Sequence, residues 1–144
     1  MIMIFEGYNS LCKPNAKTIV SRDKGSSRRH IAENPEQKFS VRHFQLDGDV
    51  FQNVLCCDYL LLNDTTKIAY YIELKGHNIG HAAEQLMAGE KLCANEAGDY
   101  VALYRIVSSG MPTQKAYPLP YRKLLNKAGK RLKSGTEKII EELY

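Results

Sequence analysis

The sequence has no hydrophobic run long enough to cross a membrane, because a spanning helix needs roughly 20 consecutive apolar residues. It also shows no N-terminal secretory signal, since no basic segment precedes the first apolar residues and Glu6 interrupts them. Residues 1–6 are instead expected to form a short first strand. These absences predict a cytoplasmic protein with no membrane partner.

Cysteine is sparse, and its spacing does not suggest a metal or redox site. The chain has four cysteines: Cys12, Cys56, Cys57 and Cys93. Their spacing matches neither a zinc motif nor a redox motif, so we expect free, inert thiols in a reducing compartment. His77 and His81 stand four residues apart, but no third ligand follows at a suitable spacing. Phosphate contact, or simple solvation at a helix start, is therefore favoured over a zinc site.

Strong net charge, internal repeats and low-complexity tracts are also missing. The formal net charge is +4, which permits a polyanionic partner without requiring one. The chain has 144 residues, of which 44% are hydrophobic and 25% are charged. These values are typical of a soluble globular protein and predict a single domain over residues 1–144.

Hydrophobic periodicity predicts the order of the elements. Strands are expected at 39–46, 54–62, 68–75 and 100–107, and helices at 79–95 and from about 121 onwards, the last broken near Gly129 or Gly135. The polar segment 9–37 is left open between a short helix at 27–33, an ordered loop and a mobile arm. This order predicts an α/β protein with a mixed central β-sheet flanked by helices and a parallel crossover through the first long helix.

The predicted hairpin carries charged residues inside strongly apolar strands. Asp58 lies in the first strand, and Glu73-Leu74-Lys75 ends the second. Because side chains alternate across a strand, Glu73 and Lys75 point to one face, and Asp58 can lie beside them on the neighbouring strand. Ionisable groups in such strands need a partner, a metal or a catalytic role. The pattern therefore suggests a divalent-metal site.

Residues 40–109 resemble the PD-(D/E)XK phosphodiesterase superfamily. The resemblance lies in the order of four features: an acidic residue, a hairpin, an acidic-x-Lys triplet and a following helix. The proline of that motif is replaced by Cys57. A second acidic-x-Lys triplet, Glu36-Gln37-Lys38, lies in a polar stretch with no strand around it. The resemblance implies a restriction-endonuclease-like core and a metal-dependent nuclease, most often acting on DNA.

The resemblance also implies roles for individual residues. Asp58, Glu73 and the backbone carbonyl of Leu74 would hold Mg²⁺, with Mn²⁺ as a substitute, and Lys75 would orient or activate the attacking water. Gln85 in the next helix would contact water or phosphate, or would be a plain surface residue. The tyrosine that follows this glutamine in some branches is Gly89 here. A further acidic ligand often comes from an N-terminal helix in these families, with Glu33 as first candidate and Glu6 as second, although an ordinary surface carboxylate explains either residue better.

Two basic clusters could hold a nucleic-acid backbone. The first is Lys24, Arg28 and Arg29, and the second is Lys123, Lys127, Lys130 and Arg131 on one side of the last predicted helix. A solvated face balanced by nearby glutamates explains the second cluster equally well. Phosphate contacts position a strand without reading its sequence, and no base-reading module is recognisable. A small nuclease that recognises shape, ends or junctions, or that is directed by a protein partner, is therefore favoured.

The sequence is compatible with three hypotheses for the function of the protein. The first is a Mg²⁺-dependent nuclease, which in small resolvase-like relatives usually acts as a homodimer. The second is a catalytically silent member of the same fold, used as a binding or inhibitory module of a phage or other mobile element. The third is an unrelated interaction domain whose hairpin charges form a structural salt bridge.

Overall fold

The computed structural model describes residues 4–75 and 77–144. The strands in chain order are β1 (Thr18–Arg22), β2 (Arg29–Glu33), β3 (Val41–Gln45), β4 (Tyr59–Asn63), β5 (Ile68–Leu74), β6 (Val101–Ser108), β7 (Leu132–Thr136) and β8 (Lys138–Glu142). The α-helices are α1 (Ile79–Leu92), α2 (Ala94–Ala97) and α3 (Leu119–Ala128). The prediction of a mixed α/β protein is confirmed.

The strands form two mixed sheets. Five of them pair in the order β3-β4-β5-β6-β7, antiparallel from β3 to β5 and parallel from β5 to β7. The other three pair in the order β1-β2-β8, with β2 antiparallel to β1 and parallel to β8. The predicted parallel crossover from β5 through α1 to β6 is confirmed, and α3 makes a second such connection from β6 to β7.

Each face of the five-stranded sheet is covered by a different layer. Alternate residues such as Leu60, Tyr71 and Ile106 pack with α1 and α3 in one hydrophobic core. The intervening residues, such as Leu61 and Ile72, pack against the three-stranded sheet in a second core. The molecule therefore has helices, a large sheet and a small sheet in three layers, and β5 and β6 are buried on both faces.

The predicted strands and helices are correct where each element packs against elements that are close to it in the sequence. The central hairpin, α1 and β6 are confirmed, but β4 begins at Tyr59 and not at residue 54, so Asp58 immediately precedes the strand. Gly129 ends α3 with a positive φ of 55°, which glycine adopts at little cost. The expected N-terminal strand is wrong for the described residues, because Ile4–Gly7 form a 3₁₀ turn.

Two segments were mispredicted. The open segment 9–37 contains the hairpin β1–β2 instead of a helix at 27–33, and the expected C-terminal helix beyond Gly129 is the strand pair β7–β8. These strands have five residues each, and β2 finds its second partner in β8 more than a hundred residues later. Long-range pairing of this kind overrides local propensity.

The cysteines agree with their predicted inert character. All four are free, and three are buried. Burial raises the pKa of the Cys56 and Cys93 thiols to about 12, and it also raises the pKa of Cys57 well above its ordinary value. None of the helices in the described parts of the chain is long and apolar enough to cross a membrane.

Candidate active site

Asp58 and Glu73 face each other across the β4–β5 pair. Tyr59 is paired with Ile72, so continuing this antiparallel register by one residue places Asp58 opposite Glu73. Both have the same alternation as Leu60 and Tyr71, which pack beneath the helices. The two carboxyl groups therefore lie on the helix-covered face of the sheet.

Backbone hydrogen bonds hold the two carboxyl groups at one point. The backbone N–H of Asp58 donates to Glu73 Oε1 at 3.1 Å, and the backbone N–H of Leu74 donates to Asp58 Oδ2 at 2.9 Å. Each carboxylate thus accepts from the strand that carries the other. The Leu74 side chain points away, into the core between the two sheets.

Lys75 lies on the same face as Glu73 and reaches towards solvent. Its Nζ is 3.7 Å from Glu73 Oε2. The Glu73 side chain is only 2% exposed, whereas that of Lys75 is 26% exposed. Lys75 therefore links a fully buried carboxylate to the surface, and the structure brings together all three residues of the motif.

The electrostatics of this pair favour binding of a cation or a proton. Burial, followed by the nearby Asp58, raises the pKa of Glu73 to about 9, although Lys75 acts in the opposite direction. Burial also raises the pKa of Asp58, and Asp47 and Asp23 add to the effect. Glu73 has the larger shift because it is the more deeply buried of the two. Near neutral pH the metal-free pair therefore retains a proton.

Gln85 contributes a buried amide from α1. Its Nε2 donates to the carbonyl of Cys56 at 3.4 Å, two residues before Asp58. Its Oε1 is shielded from solvent and has no hydrogen-bond partner among the described residues. Gln85 is thus not a plain surface residue of the helix: it lies against the segment that leads into Asp58.

Gly89 lets α1 approach that same segment closely. A Cβ at this position would lie 2.5 Å from Cys57 Sγ, which is closer than two such atoms can pack. Any side chain here would push α1 away from the residue that precedes Asp58. The tyrosine found at this position in some related motifs is therefore excluded by packing.

A small cleft borders Asp58 where the β1–β2 turn meets the start of β4. Its volume is about 180 Å³, and it is lined by Arg22, Asp23, Lys24, Gln45, Asp58 and Tyr59. The Tyr59 hydroxyl donates to the carbonyl of Arg22 at 2.9 Å and attaches the β1–β2 turn to the start of β4. Because the β1–β2 hairpin was not predicted, this wall of the site was not predicted either.

The first predicted basic cluster is divided by the β1–β2 hairpin. Lys24 lies in the cleft with Asp58. Arg28 is instead bound to Asp23, with 2.7 Å between Nη2 and Oδ2. Arg29 lies on β2 and alternates with the buried His30, so it points away from the sheet's core face. One of the three predicted cations therefore lines the site, and Arg22 borders it through the backbone carbonyl that accepts from Tyr59.

The second predicted basic cluster lies on and just after α3. Lys127 pairs with Glu90 at 3.3 Å near the end of α1, and Arg131 Nη1 donates to the carbonyl of Ala102 at 2.9 Å. Ala102 is near the start of β6, whereas Glu73 is near the end of the parallel strand β5. Lys127 and Arg131 are thus at the opposite end of the sheet from the carboxylate pair. Lys123 and Lys130 are exposed on the same helical segment.

The structure does not bring Glu33 to Asp58. The prediction placed Glu33 in a helix, but it ends strand β2, at the opposite end from the turn that borders the cleft. The acidic residues near the pair are instead Asp47 and Asp23, both of which raise the pKa of Asp58. Asp47 follows β3, whose pairing with β4 carries it towards Asp58, and the sequence shows only a turn there.

The described residues contain no group of three or more His, Cys, Asp or Glu side chains arranged to hold a metal ion. The available oxygen donors are therefore two carboxylates, with backbone or water completing the set. No protein-family model, characterised protein or solved structure matches the chain. The geometry of this site is consequently the basis for the function proposed below.

Proposed function

We propose that this protein is a divalent-metal-dependent nuclease of the PD-(D/E)XK type, with a restriction-endonuclease-like core and DNA as its substrate. The observation that supports this most strongly is the buried Asp58–Glu73 pair with Lys75 on the same face. Two carboxyl groups with raised pKa values are held together beside an open cleft. Perturbed groups of this kind are concentrated at functional sites.

The residues present fit a hard divalent cation. Mg²⁺ and Mn²⁺ prefer oxygen ligands and often bind through only one or two carboxylates, keeping several waters. Asp58 and Glu73 would hold the ion, and the backbone carbonyl of Leu74 is the nearest further oxygen along the strand. When bound, such an ion offsets negative charge on a phosphodiester and acidifies water. It would also displace the proton that the isolated pair retains.

Lys75 and Gln85 would act on the water and the phosphate. The Lys75 ammonium group extends from the buried carboxylate towards solvent, where it can orient or activate the attacking water. Gln85 Oε1 lacks a partner among the described residues and can accept a hydrogen bond from a water molecule. These two side chains would thus complete the site from the strand and from α1.

Lys24 would position the nucleic-acid backbone. It lines the cleft that contains Asp58, and it is exposed. Cations placed this way contact phosphate without reading bases. The cations on and just after α3, namely Lys123, Lys127, Lys130 and Arg131, would at most contact a more distant part of a long substrate.

A cleavage assay with matched variants tests the proposal. Linear, nicked, branched and single-stranded DNA would be incubated with Mg²⁺, Mn²⁺ or EDTA. We expect metal-dependent cleavage that falls by at least ~10²-fold in Asp58→Asn and Lys75→Ala, the low end of a general acid–base contribution. The control is Glu36→Gln, which alters the other acidic-x-Lys triplet, where Lys38 and Glu36 are 3.5 Å apart and exposed.

One observation favours a catalytically silent binding module as second candidate. Both carboxylates already accept backbone hydrogen bonds, so the site is held together without a metal. A wild-type protein that binds Mn²⁺ but cuts none of the substrates would support this second function. A wild-type protein that neither cuts nor is stabilised by either metal would contradict the nuclease proposal.

A further inference from the structure

The side chains on the outer face of the three-stranded sheet form three rows that run across the strands. Pairing of β1 with β2 and of β2 with β8 aligns them across the strands. The basic row is Arg22, Arg29 and Lys138; the apolar row is Val20, Ile31 and Ile140; the acidic row is Thr18, Glu33 and Glu142. The alternate residues of the same strands, such as Ile19, Ala32 and Ile139, face the inner core. The three rows therefore belong to the surface of the molecule.

This arrangement of charge is unfavourable for an isolated sheet. Like charges directly opposite each other destabilise neighbouring strands, and both the basic and the acidic row contain such pairs. Among the described residues, none of these five charged side chains has an ion-pair partner. Arg29 Nε is shielded from solvent and also has no hydrogen-bond acceptor in that part of the chain. Alternating the charges would have been more stable.

The apolar row lies between the two charged rows. Ile140 is 47% exposed, and Val20 and Ile31 are half-buried only by their neighbours in the sheet. The row runs straight across all three strands, with a cation row on one side and an acid row on the other. A partner that matched the whole face would thus need acids, apolar groups and cations in the reverse order.

We propose that this partner is a second copy of the same chain. A two-fold axis that lies along the rows turns one face onto the other and reverses their order. The basic row then meets the acidic row of the second copy, and the two apolar rows meet at the centre. Arg29 would pair with Glu33 of the second copy, and Lys138 with its Glu142. Each pair occurs twice, as an isologous interface requires.

Charge complementarity selects this arrangement over the alternatives. A two-fold axis along the strands would place basic row on basic row and acidic row on acidic row, which is repulsive. A nucleic acid could use the basic row, but it would leave the apolar row exposed and would lie beside Glu33 and Glu142. A second copy accounts for all three rows and supplies carboxylates that can accept from Arg29 Nε.

The size of the face predicts a weak association. Three strands ~4.8 Å apart, with five residues each rising ~3.3 Å, give a patch about 14 Å by 16 Å. Two such patches cover roughly 450 Å² in total, well below the ~1,200 Å² that specific interfaces bury. We therefore expect a weak dimer, with a Kd on the order of 0.1–1 mM, that weakens further as salt screens its ion pairs. The inference does not depend on the proposed nuclease activity.

Sedimentation velocity at protein concentrations up to the millimolar range tests the proposal with a charge-swap set. Lys138→Glu and Glu142→Lys each turn two attractive contacts per dimer into repulsive ones. Each should weaken association by at least ~10-fold, because like charges brought together across an interface are strongly unfavourable. The double variant reverses both charges and should dimerise like wild type. Lys91→Glu, an exposed cation on α1, is the matched control and should leave association unchanged.

A mixing experiment makes the test specific to a two-fold interface. The Lys138→Glu protein carries two acids on β8, and the Glu142→Lys protein carries two cations there. Neither should self-associate, yet the two proteins mixed should form a heterodimer. Both residues are exposed without an ion pair in the described structure, and each substitution removes a like-charge pair within the sheet, so melting temperatures should equal or exceed that of wild type. A wild-type protein that stays monomeric, or a double variant that does not recover dimerisation, would overturn the proposal.

Nucleic acid is the competing occupant, and the same proteins identify it. If the basic row binds a polyanion, Lys138→Glu should weaken retention of DNA and Glu142→Lys should strengthen it. Such a result, with wild type monomeric throughout, would assign the face to nucleic acid and refute the dimer. Concentration-dependent dimerisation that the double variant restores supports the dimer.

Discussion

Replacing Glu73 by glutamine in the metal-free protein should increase its stability near neutral pH. The folded protein holds Glu73 with a pKa of about 9, against the ordinary value of 4.5 in the unfolded chain. Wild type must therefore take up a proton to fold at any pH between these values. Glutamine has nearly the same shape as the protonated acid and can still accept from the backbone N–H of Asp58.

The expected magnitude follows from linkage. The folded state binds more protons than the unfolded state, so wild-type stability falls as pH rises from about 4.5 to about 9. One pKa unit corresponds to about 1.4 kcal/mol, so the difference at about pH 7 is on the order of 3 kcal/mol. The glutamine variant has no ionisable group at position 73, so its stability lacks this dependence on pH. The two proteins should be similarly stable near pH 4.5, and the variant should gain its full advantage near pH 9.

Urea denaturation in EDTA at several pH values measures this difference. In the same series, Mn²⁺ at 100 times its Kd should largely cancel the difference near pH 7, because it stabilises folded wild type by about 2.7 kcal/mol, whereas the variant has lost one ligand charge. The control Glu36→Gln should have the same free energy of unfolding as wild type at each pH, since the ion pair of Glu36 with Lys38 is largely exposed. If Glu73→Gln unfolds several kcal/mol more easily than wild type in EDTA at every pH, Glu73 is an ionised structural partner of Lys75 and the reasoning fails.

Three further outcomes follow from the site. Lys75→Ala should keep Mn²⁺ binding, measured by calorimetry, while cleavage falls by at least ~10²-fold; loss of metal binding as well would contradict a role confined to water or phosphate. Lys24→Ala should lower DNA affinity and the slope of affinity against salt, measured by fluorescence anisotropy, more than Lys127→Ala does, because only Lys24 lines the Asp58 cleft. Gly89→Ala should lower the free energy of unfolding by about 1–3 kcal/mol through overpacking against Cys57, whereas an unchanged value would mean that α1 can shift freely.

Local sequence patterns were sufficient to predict the centre of the fold. The β4–β5 hairpin, α1 and β6 were found because their partners are close in sequence and their apolar residues have a clear period. The same patterns located Asp58, Glu73 and Lys75, since a charged residue in a buried strand is visible without a structure. Their common face followed from strand alternation alone.

The edges of the fold could not be predicted in this way. β1, β2, β7 and β8 are short strands with mixed polarity, and β8 resembles the continuation of a helix until it is paired with β2. These unpredicted strands determine which residues border the candidate site. Glu33 is far from the site because its segment is a strand, and Lys24 lines the site because the β1–β2 turn is hydrogen-bonded to Tyr59.

The sequence by itself determined which chemistry the chain can carry: two carboxylates and a lysine on adjoining strands, with a glutamine in the helix that follows. Only the tertiary structure decided how those groups behave. The raised pKa of Glu73 depends on burial beneath α1, and the three rows of the outer face depend on strands brought together from both ends of the chain. Solvent exclusion and cross-strand register are properties of packed layers, so residue spacing along the chain does not specify them.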